Sequence, residues 1–182
     1  MNIFKMLDKN GFKVIRLLSR GDFYLREIAS TLKISTSVTH STIKKLLNLE
    51  FVEISKEKNR KIVFLKRENL LLQKVKSFIN LNELLSSKAY FELSRVGVAG
   101  IYGSFADGSN DEHSDLDLWV YAERMDPAKV SKISSIFEKE LKVETNILIL
   151  NKDKLQRIKN KDPEFYSRIK FTSIFEGEGI FD

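Results

Sequence analysis

The sequence predicts an α+β protein of two small domains, and two observations lead to this prediction. The first third of the chain has the apolar spacing of three helices followed by a short hairpin, whereas strand-like and helical segments alternate after residue 95. A length of 182 residues suits one large domain or two small ones. We therefore predict one domain at 1–67, a connecting or dimerisation helix at 68–90 and a second domain at 91–182.

Composition limits the chemistry that the chain can perform. It contains no cysteine, which excludes disulfides and cysteine-ligated zinc or iron–sulfur sites, and its two histidines lie far apart in sequence. A metal would therefore bind oxygen ligands, which favours magnesium or manganese. No apolar run approaches the ~20 residues that span a bilayer, and the first residues lack the form of a secretory signal. We expect no membrane association and a cytoplasmic location.

The charge is distributed unevenly between the two halves of the chain. Residues 1–70 hold 15 Lys/Arg and 7 Asp/Glu, a net charge of +8, and the remaining residues have a net charge of −2. A basic half beside a mildly acidic one indicates that the first half meets a polyanion such as nucleic acid. The alternative is a lysine-rich surface that keeps the chain in solution.

Three helices are predicted in the first domain from apolar residues at helical spacing, over residues 11–19, 25–32 and 36–49. Ser35 or Thr36 can cap the third helix. Its predicted apolar face consists of Val38, Ile43, Leu46 and Leu47.

Two strand-like segments, 51–55 and 61–65, follow the helices and flank the polar loop 56–60. Three helices and a basic hairpin in this order resemble the winged helix-turn-helix domain of small prokaryotic transcription regulators, over roughly residues 10–67. The resemblance implies binding to double-stranded DNA. Winged helices also serve as protein-docking or dimerisation units, and this alternative stays open.

In such a domain the third helix would enter the major groove, and the hairpin, or wing, would reach the phosphate backbone. Small, polar or basic side chains suit these roles. The predicted DNA-binding residues are Ser37, Thr39, His40, Ser41, Lys44 and Lys45 on the helix, with Lys58 and Arg60 on the wing.

Residues 68–86 form a further predicted helix in which Leu71, Val75, Phe78 and Leu85 follow a heptad rhythm. One interpretation is a dimerisation helix, which would make the protein a homodimer. The other is a connecting helix that packs on one of its own domains.

A phosphate-binding and metal-binding pattern lies in the second domain. Gly103 and Ser104 follow a strand and should open a helix, where backbone N–H groups and the serine hydroxyl can hold phosphate oxygens. Asp115 and Asp117 lie two apart on a predicted strand, so both carboxylates project from one face. Two converging carboxylates require a cation between them, and magnesium shared with a nucleoside triphosphate fits this requirement.

This combination resembles the signature of the DNA polymerase beta nucleotidyltransferase superfamily, and the domain size is similar to that of the minimal nucleotidyltransferases. The resemblance implies a small mixed sheet and transfer of a nucleoside monophosphate from a triphosphate, which we expect to be ATP, to a hydroxyl acceptor. Asp115 and Asp117 would hold the metal ions, and Gly103 and Ser104 would bind the β- and γ-phosphates. Minimal nucleotidyltransferases often pair with a small helical partner protein, so such a partner is a further implication.

The sequence departs from this pattern at the third carboxylate, which the family carries on the next strand. The apolar alternation of residues 142–150 places Asn146 at that position, with Glu144 two residues earlier on the same face. Either Glu144 serves as the third acid, or the acid is lost. In the second case the protein would be a DNA-binding regulator that binds nucleotide without turnover.

Trp119 and Tyr121 alternate onto the same face as the two aspartates. They could form the floor of a nucleobase site, or a helix could pack over them as part of the core.

Overall fold

A computed structural model describes residues 7–57, 60–124, 126–177 and 180–181. It divides into two compact units, residues 1–79 and 80–182. The elements of the first unit are α1 Lys9–Leu18, β1 Phe23–Tyr24, α2 Leu25–Leu32, α3 Thr36–Asn48, β2 Val52–Glu57 and β3 Arg60–Leu65. Helix α4, Leu70–Leu85, contains the division between the units. The second unit continues with α5 Lys88–Ser94, β4 Val98–Tyr102, α6 Gly103–Asp107, β5 Leu116–Tyr121, α7 Pro127–Leu141, β6 Thr145–Leu150, α8 Lys152–Lys161, α9 Pro163–Thr172 and β7 Ile174–Phe175.

The first unit is a winged helix-turn-helix domain. Its three helices pack on an antiparallel sheet with the strand order β1-β3-β2, in which β2 and β3 form the hairpin. The short strand β1 pairs with β3 through Phe23 opposite Val63. Side chains from all three helices and from the hairpin share one apolar core. Residues 58–59, between β2 and β3 in the sequence, lie outside the described residues.

Local sequence sets where the helices of the first unit begin and end. The Asp8 carboxylate accepts hydrogen bonds from the backbone N–H groups of Asn10 and Gly11, both at 3.0 Å, and so caps α1. Ser35 caps α3 in the same way by accepting from the N–H of Val38. Helix α2 ends at Lys33, whose φ of 53° lies in the left-handed region and turns the chain towards α3.

Helix α4 contributes side chains to two separate cores. Leu72 is fully buried in the core of the first unit, and Leu84 is buried in a core of the second. Three apolar side chains of the predicted heptad remain exposed at seven-residue spacing: Leu71, Phe78 and Leu85. The helix therefore packs on its own chain with one face and leaves a narrow apolar stripe on another.

The second unit is built on a four-stranded mixed sheet with the order β6-β5-β4-β7. Strands β5 and β6 are parallel, because α7 connects them, and the other pairs are antiparallel. Alternate residues of β5 enter different cores: Leu118 packs with Phe137 of α7, whereas Trp119 packs with Tyr166 of α9. Helices thus cover both faces of the sheet. Asp117 has the same parity as Trp119 and belongs to the α9 face.

The structure confirms the α+β class and the helices and strands predicted from periodicity, with bounds that differ by a few residues. Three short elements were not predicted: β1, α5 and β7. Two of them contain only two residues, which is too short for any alternation to be visible in the sequence. In the described part of the chain, no helix is both long enough and apolar enough to cross a membrane.

Candidate functional site

The turn between β4 and α6 brings the backbone close to a carboxylate. Gly103 has a φ of +69°, and a Cβ at this position would lie 3.0 Å from Oδ2 of Asp117. The left-handed backbone and this close approach both favour glycine. Ser104, which is partly exposed, follows at the start of α6. Gly103, Ser104 and Asp117 are therefore neighbours, as the sequence pattern predicted.

Hydrogen bonds from the following loop and from Asn80 of α4 hold the first turn of α6. The carbonyl of Ser104 accepts from the backbone N–H groups of Gly108 at 2.9 Å and Asn110 at 3.2 Å. The side-chain amide of Asn80, on α4, donates to the Phe105 carbonyl and to Oδ1 of Asn110, both at 2.9 Å. Asn80 and Asn110 were missed in the sequence because their partners lie up to 30 residues away. They fix the position of the Gly103–Ser104 turn.

Asp117, on β5, is the central residue of a row that crosses the adjacent strands β4, β5 and β6. It pairs with Tyr102 of β4 on one side and with Asn146 of β6 on the other. Asp115 immediately precedes β5, and its Oδ2 accepts a hydrogen bond from Nδ2 of Asn146 at 3.3 Å. The strand register therefore confirms that Asn146 occupies the position beside the aspartates, as the apolar alternation predicted.

Burial raises the pKa of Asp117 above its ordinary value. A hydrogen bond from Asn146 lowers the pKa, the nearby Asp115 carboxylate raises it, and the positive charge of Arg168 lowers it. The net shift of this pKa is upward because burial is the largest of these effects, and repulsion by the Asp115 carboxylate adds to it. A divalent cation would relieve this repulsion. Two converging carboxylates and an amide form an oxygen-rich donor set that fits magnesium or manganese.

Glu144, the other candidate for the third acid, lies immediately before β6. The backbone carbonyl of Glu144 accepts a hydrogen bond from the N–H of Leu116 at 2.8 Å, and Glu144 is exposed to solvent. Among the residues that the structure describes, no three Asp, Glu, His or Cys side chains are grouped so that they could hold a metal. The structure brings together Asp115, Asp117 and Asn146, and the role of Glu144 stays a prediction.

An arginine on α9 lies on the same side of the sheet as Asp117, and no local sequence pattern indicates it. The guanidinium carbon of Arg168 lies 5.2 Å from the ring centroid of Phe165, and that ring meets Tyr102 edge-on at 6.2 Å. Burial raises the pKa of Tyr102, the charge of Asp117 raises it further, and the charge of Arg168 lowers it. The electrostatic field of Arg168 thus extends to both Tyr102 and Asp117.

Trp119 belongs to the core and does not form the floor of a nucleobase site. Its side chain is fully buried, and its Nε1 donates to Oγ of Ser173 at 2.8 Å. The rings of Phe175 and Phe181 pack against it edge-on at 5.0 and 5.3 Å. The alternative in which a helix covers this side chain is the correct one.

In the first unit, α3 is rotated relative to the face that we predicted. Its buried residues are Thr39, Thr42, Ile43 and Leu46, whereas Val38 and Leu47 are exposed. The prediction assigned the apolar face from aliphatic residues alone, but threonine methyl groups also pack in a core, with Oγ1 of Thr39 donating to the Ser35 carbonyl at 3.0 Å. Thr39 was therefore wrongly placed among the outward, DNA-contacting residues.

The other predicted DNA-contacting residues of α3 differ in how far they are exposed to solvent. Ser37, His40, Ser41 and Lys44 are exposed. Lys45 is partly buried, and its ammonium group forms a 2.6 Å ion pair with Asp8.

On the wing, the guanidinium of Arg60 lies over the ring of Tyr24 at 5.3 Å, and Lys58 lies outside the described residues. A concave surface between α2, α3 and β3 is lined partly by Arg26, His40 and Lys61. This surface is basic and continuous with the exposed face of α3. The sequence prediction did not include Arg26, because it lies on the helix before the predicted reading helix.

Comparisons with known proteins agree with the fold of the second unit. Residues 80–174 match the family model described as polymerase beta, nucleotidyltransferase, which covers more than half of the chain. No curated protein shows a significant sequence match.

Two solved structures are similar to part of the chain. Reduced HlyU from Vibrio cholerae is 20% identical, with a TM-score of 0.39, and the match covers 46% of this chain and 84% of that one. The transcriptional regulator HlyU from Vibrio vulnificus is 21% identical, with the same TM-score, and the match covers 46% of this chain and 83% of that one.

The family match rests on the unit that contains Gly103, Ser104, Asp115 and Asp117. The chain therefore belongs to the polymerase beta nucleotidyltransferase family.

Proposed function

We propose that the protein transfers a nucleoside monophosphate from a nucleoside triphosphate to a hydroxyl acceptor, with magnesium or manganese, and that its winged helix binds double-stranded DNA. The observation that carries the enzymatic part is the convergence of Asp115 and Asp117 beside the Gly103–Ser104 turn. Of the triphosphates, ATP is the one that we would test first. The family match supports the reaction class, and the site supports the residues.

In this proposal each residue has a limited task. Asp115 and Asp117 would hold the divalent cation, which would supply charge stabilisation at the phosphates. The backbone N–H of Gly103 and the hydroxyl of Ser104 donate to phosphate oxygens. The acceptor oxygen attacks the α-phosphorus in line, the bond to the bridging oxygen breaks, and pyrophosphate leaves.

The proton of the acceptor hydroxyl needs a destination, and Asn146 cannot accept it because an amide is not a base at neutral pH. Glu144 is an exposed carboxylate two residues before Asn146, at the residue that precedes β6, and is our proposal for this role. If Glu144 does not serve, the proton passes to solvent and turnover is slow.

The test uses each α-labelled nucleoside triphosphate with magnesium or manganese and follows label transfer and pyrophosphate release. Asp115→Ala should abolish transfer, because one carboxylate cannot hold the cation as two do. Asp153→Ala, which removes an exposed carboxylate on α8, is the matched control and should behave like the wild type. Undiminished transfer by the Asp115 variant would exclude the proposed site.

Asn146 favours a second candidate function, that of a DNA-binding regulator whose second unit binds nucleotide without turnover. In this case nucleotide and metal would change the DNA affinity, and DNA would change the nucleotide affinity by the same factor. Metal-dependent nucleotide binding without pyrophosphate release, together with such coupling, would support this function. Equal DNA affinity with and without nucleotide would exclude it.

The DNA-binding part of the proposal rests on the exposed face of α3 and the basic surface beside it. Ser37, His40, Ser41 and Lys44 form a polar face that suits a major groove. Arg60 on the wing would contact the phosphate backbone. Fluorescence anisotropy with a DNA library should show binding that weakens steeply as salt increases.

We also propose a homodimer, because Leu71, Phe78 and Leu85 remain exposed at heptad spacing on α4. Phe78 also contacts Phe12 of α1, with ring centroids 6.4 Å apart. Light scattering of the wild type should give twice the mass of the chain. Leu71→Lys should then give a monomer, since this residue is exposed and its replacement leaves the buried core unchanged. A monomeric wild type would exclude the homodimer.

A further inference from the structure

The segment that carries the proposed nucleotide site contains no cation of its own. Residues 96–123 include no lysine or arginine, but they include six carboxylates: Asp107, Asp111, Glu112, Asp115, Asp117 and Glu123. A nucleoside triphosphate would bring several more negative charges to this surface. One or two divalent cations between Asp115 and Asp117 neutralise only part of this charge. A positively charged side chain from elsewhere in the unit is needed to bind the rest of the polyphosphate.

The C-terminal helices supply the missing charge. Residues 152–172, which contain α8 and α9, hold seven Lys/Arg and three Asp/Glu. Helix α9 packs against both β4, which ends at Tyr102, and α6, which begins at Gly103. A cation on the appropriate side of α9 therefore lies beside the turn that would hold the phosphates.

Arg168 is that cation. Its guanidinium stacks over Phe165, Phe165 meets the edge of Tyr102, and Tyr102 is both the strand partner of Asp117 and the residue before Gly103. This series of contacts links Arg168, through Phe165, to the last residue of β4. Within the described residues, no carboxylate lies within ion-pair distance of it, and it is exposed. The positive charge is thus held at the site without being neutralised by a direct partner.

We propose that Arg168 binds the polyphosphate of the nucleotide, an inference that rests on the proposed function. A planar guanidinium can donate two parallel hydrogen bonds to phosphate oxygens, which an ammonium group cannot do. Stacking on Phe165 restricts the side chain before the nucleotide arrives, so less conformational entropy is lost on binding.

A purely structural role for Arg168 would be to cover the ring of Phe165. The two roles differ in their dependence on the ligand. A residue that binds the β- and γ-phosphates should affect ATP strongly and AMP little, whereas a residue that only supports α9 should affect both ligands and the thermal stability alike.

The experiment measures magnesium-dependent binding of ATP and of AMP to the full chain by calorimetry, for the wild type and three variants. Arg168→Ala should weaken ATP binding by roughly 10- to 100-fold, the range for a charge-assisted contact. It should leave AMP binding and the melting temperature nearly unchanged. Arg168→Lys should recover part of the loss, because it keeps the charge but not the paired donors. Arg157→Ala removes one exposed arginine from α8 and should bind ATP like the wild type.

The outcomes separate this inference from the proposed function. If the wild type binds ATP with magnesium and Arg168→Ala binds it equally well, the role of Arg168 is wrong and the proposed function stands. Equal losses for ATP and AMP, or an equal loss in the Arg157 variant, also contradict the role of Arg168. If the wild type binds none of the four nucleoside triphosphates with either metal, both proposals are wrong. Where transfer is measurable, Arg168→Ala should raise KM for ATP more than it lowers kcat.

Discussion

The two units present their proposed functional residues in different ways. In the winged-helix unit, most of the proposed DNA-binding side chains are exposed residues of one helix, α3, and Arg60 lies on the wing. In the nucleotidyltransferase unit, the residues of the site come from α4, α6, β5, β6 and α9, and hydrogen bonds, close approach or charge link each of them to another element. The first arrangement should lose function gradually as residues are replaced, whereas the second should lose or gain it in large steps.

Among substitutions that add a charge to the site, Asn146→Asp should change kcat the most. Asn146→Asp would place a third carboxylate beside Asp115 and Asp117, where it could hold metal and accept the acceptor's proton. If the missing acid limits turnover, kcat should rise by roughly 100-fold, the usual contribution of a positioned base. Steady-state pyrophosphate release with saturating ATP and magnesium measures this.

Asn146→Ala is the control for this replacement, since it removes the amide without adding a carboxylate and should not raise kcat. An unchanged kcat in Asn146→Asp would indicate that Glu144 already serves as the acid. Replacement of Glu144 by Gln in the wild type should then lower kcat strongly.

A smaller effect on nucleotide affinity or turnover is expected from Asn80, which supports the Gly103–Ser104 turn without belonging to it. Asn80→Ala removes two hydrogen bonds that hold α6, so the Gly103–Ser104 turn should become less ordered. Nucleotide affinity or turnover should fall by roughly 10- to 100-fold, as for other supporting partners of a binding site. Asn82→Ala is the matched control, because Asn82 is exposed on the same helix and its side chain has no contact of this kind among the described residues. Equal activity of the two variants would mean that α6 holds its position without Asn80.

In the winged-helix unit a single replacement should have only a graded effect. Lys44→Ala should weaken DNA binding about equally for different sequences and reduce the slope of log affinity against log salt by about one, the value for one phosphate contact. Anisotropy titrations at several salt concentrations measure the slope. Lys74→Ala, an exposed lysine on α4, should leave it unchanged. A loss of all binding in Lys44→Ala would contradict the idea that these contacts are independent.

The smallest expected effect concerns the stability of the same unit. Asp8 caps α1 and pairs with Lys45, and the hydrogen bond from Lys45 is the main cause of its lowered pKa. Asp8→Ala should lower the free energy of unfolding by about 1 kcal/mol through loss of the cap. Asp8→Asn can keep the cap but removes the charge that pairs with Lys45. The difference in the free energy of unfolding between Asp8→Ala and Asp8→Asn should therefore separate the contribution of the cap from that of the ion pair.

The pH dependence of this contribution has a definite sign. The pKa of Asp8 is lower in the folded chain than in the unfolded chain, where it takes the ordinary value near 3.8. The stabilisation is therefore fully present above that value and is lost as the pH falls through the lowered pKa of the folded state. The free energies of unfolding in urea of the wild type and of Asp8→Asn should differ most at neutral pH and converge only below the lowered pKa of the folded state.

The comparison also explains which features could be predicted from the sequence. Gly103, Ser104, Asp115 and Asp117 lie within 15 residues, so spacing along one strand and one turn was enough to place them together. Asn146 could be placed by apolar alternation, because its strand is regular and parallel to β5. Local patterns thus predicted the two carboxylates, the turn and the absence of an acid at Asn146.

Features that depend on tertiary packing could not be predicted in this way. Asn80 and Arg168 reach the site from helices whose sequences show no sign of it, because nothing in a local pattern records which helix faces a given turn. The rotation of α3 was missed for a chemical reason: Thr39 buries its methyl group and satisfies its hydroxyl on the preceding turn, so a residue that looks polar in the sequence lies in the core.

The most direct test of the account is label transfer from α-labelled ATP with magnesium, for the wild type and Asp117→Asn measured side by side. Asparagine keeps the shape of the side chain but removes the charge that would hold the cation. We predict transfer by the wild type and a loss of roughly 10,000-fold in the variant, as for other residues at the centre of catalysis. Transfer by Asp117→Asn at the wild-type rate would contradict the central claim that Asp115 and Asp117 carry the reaction.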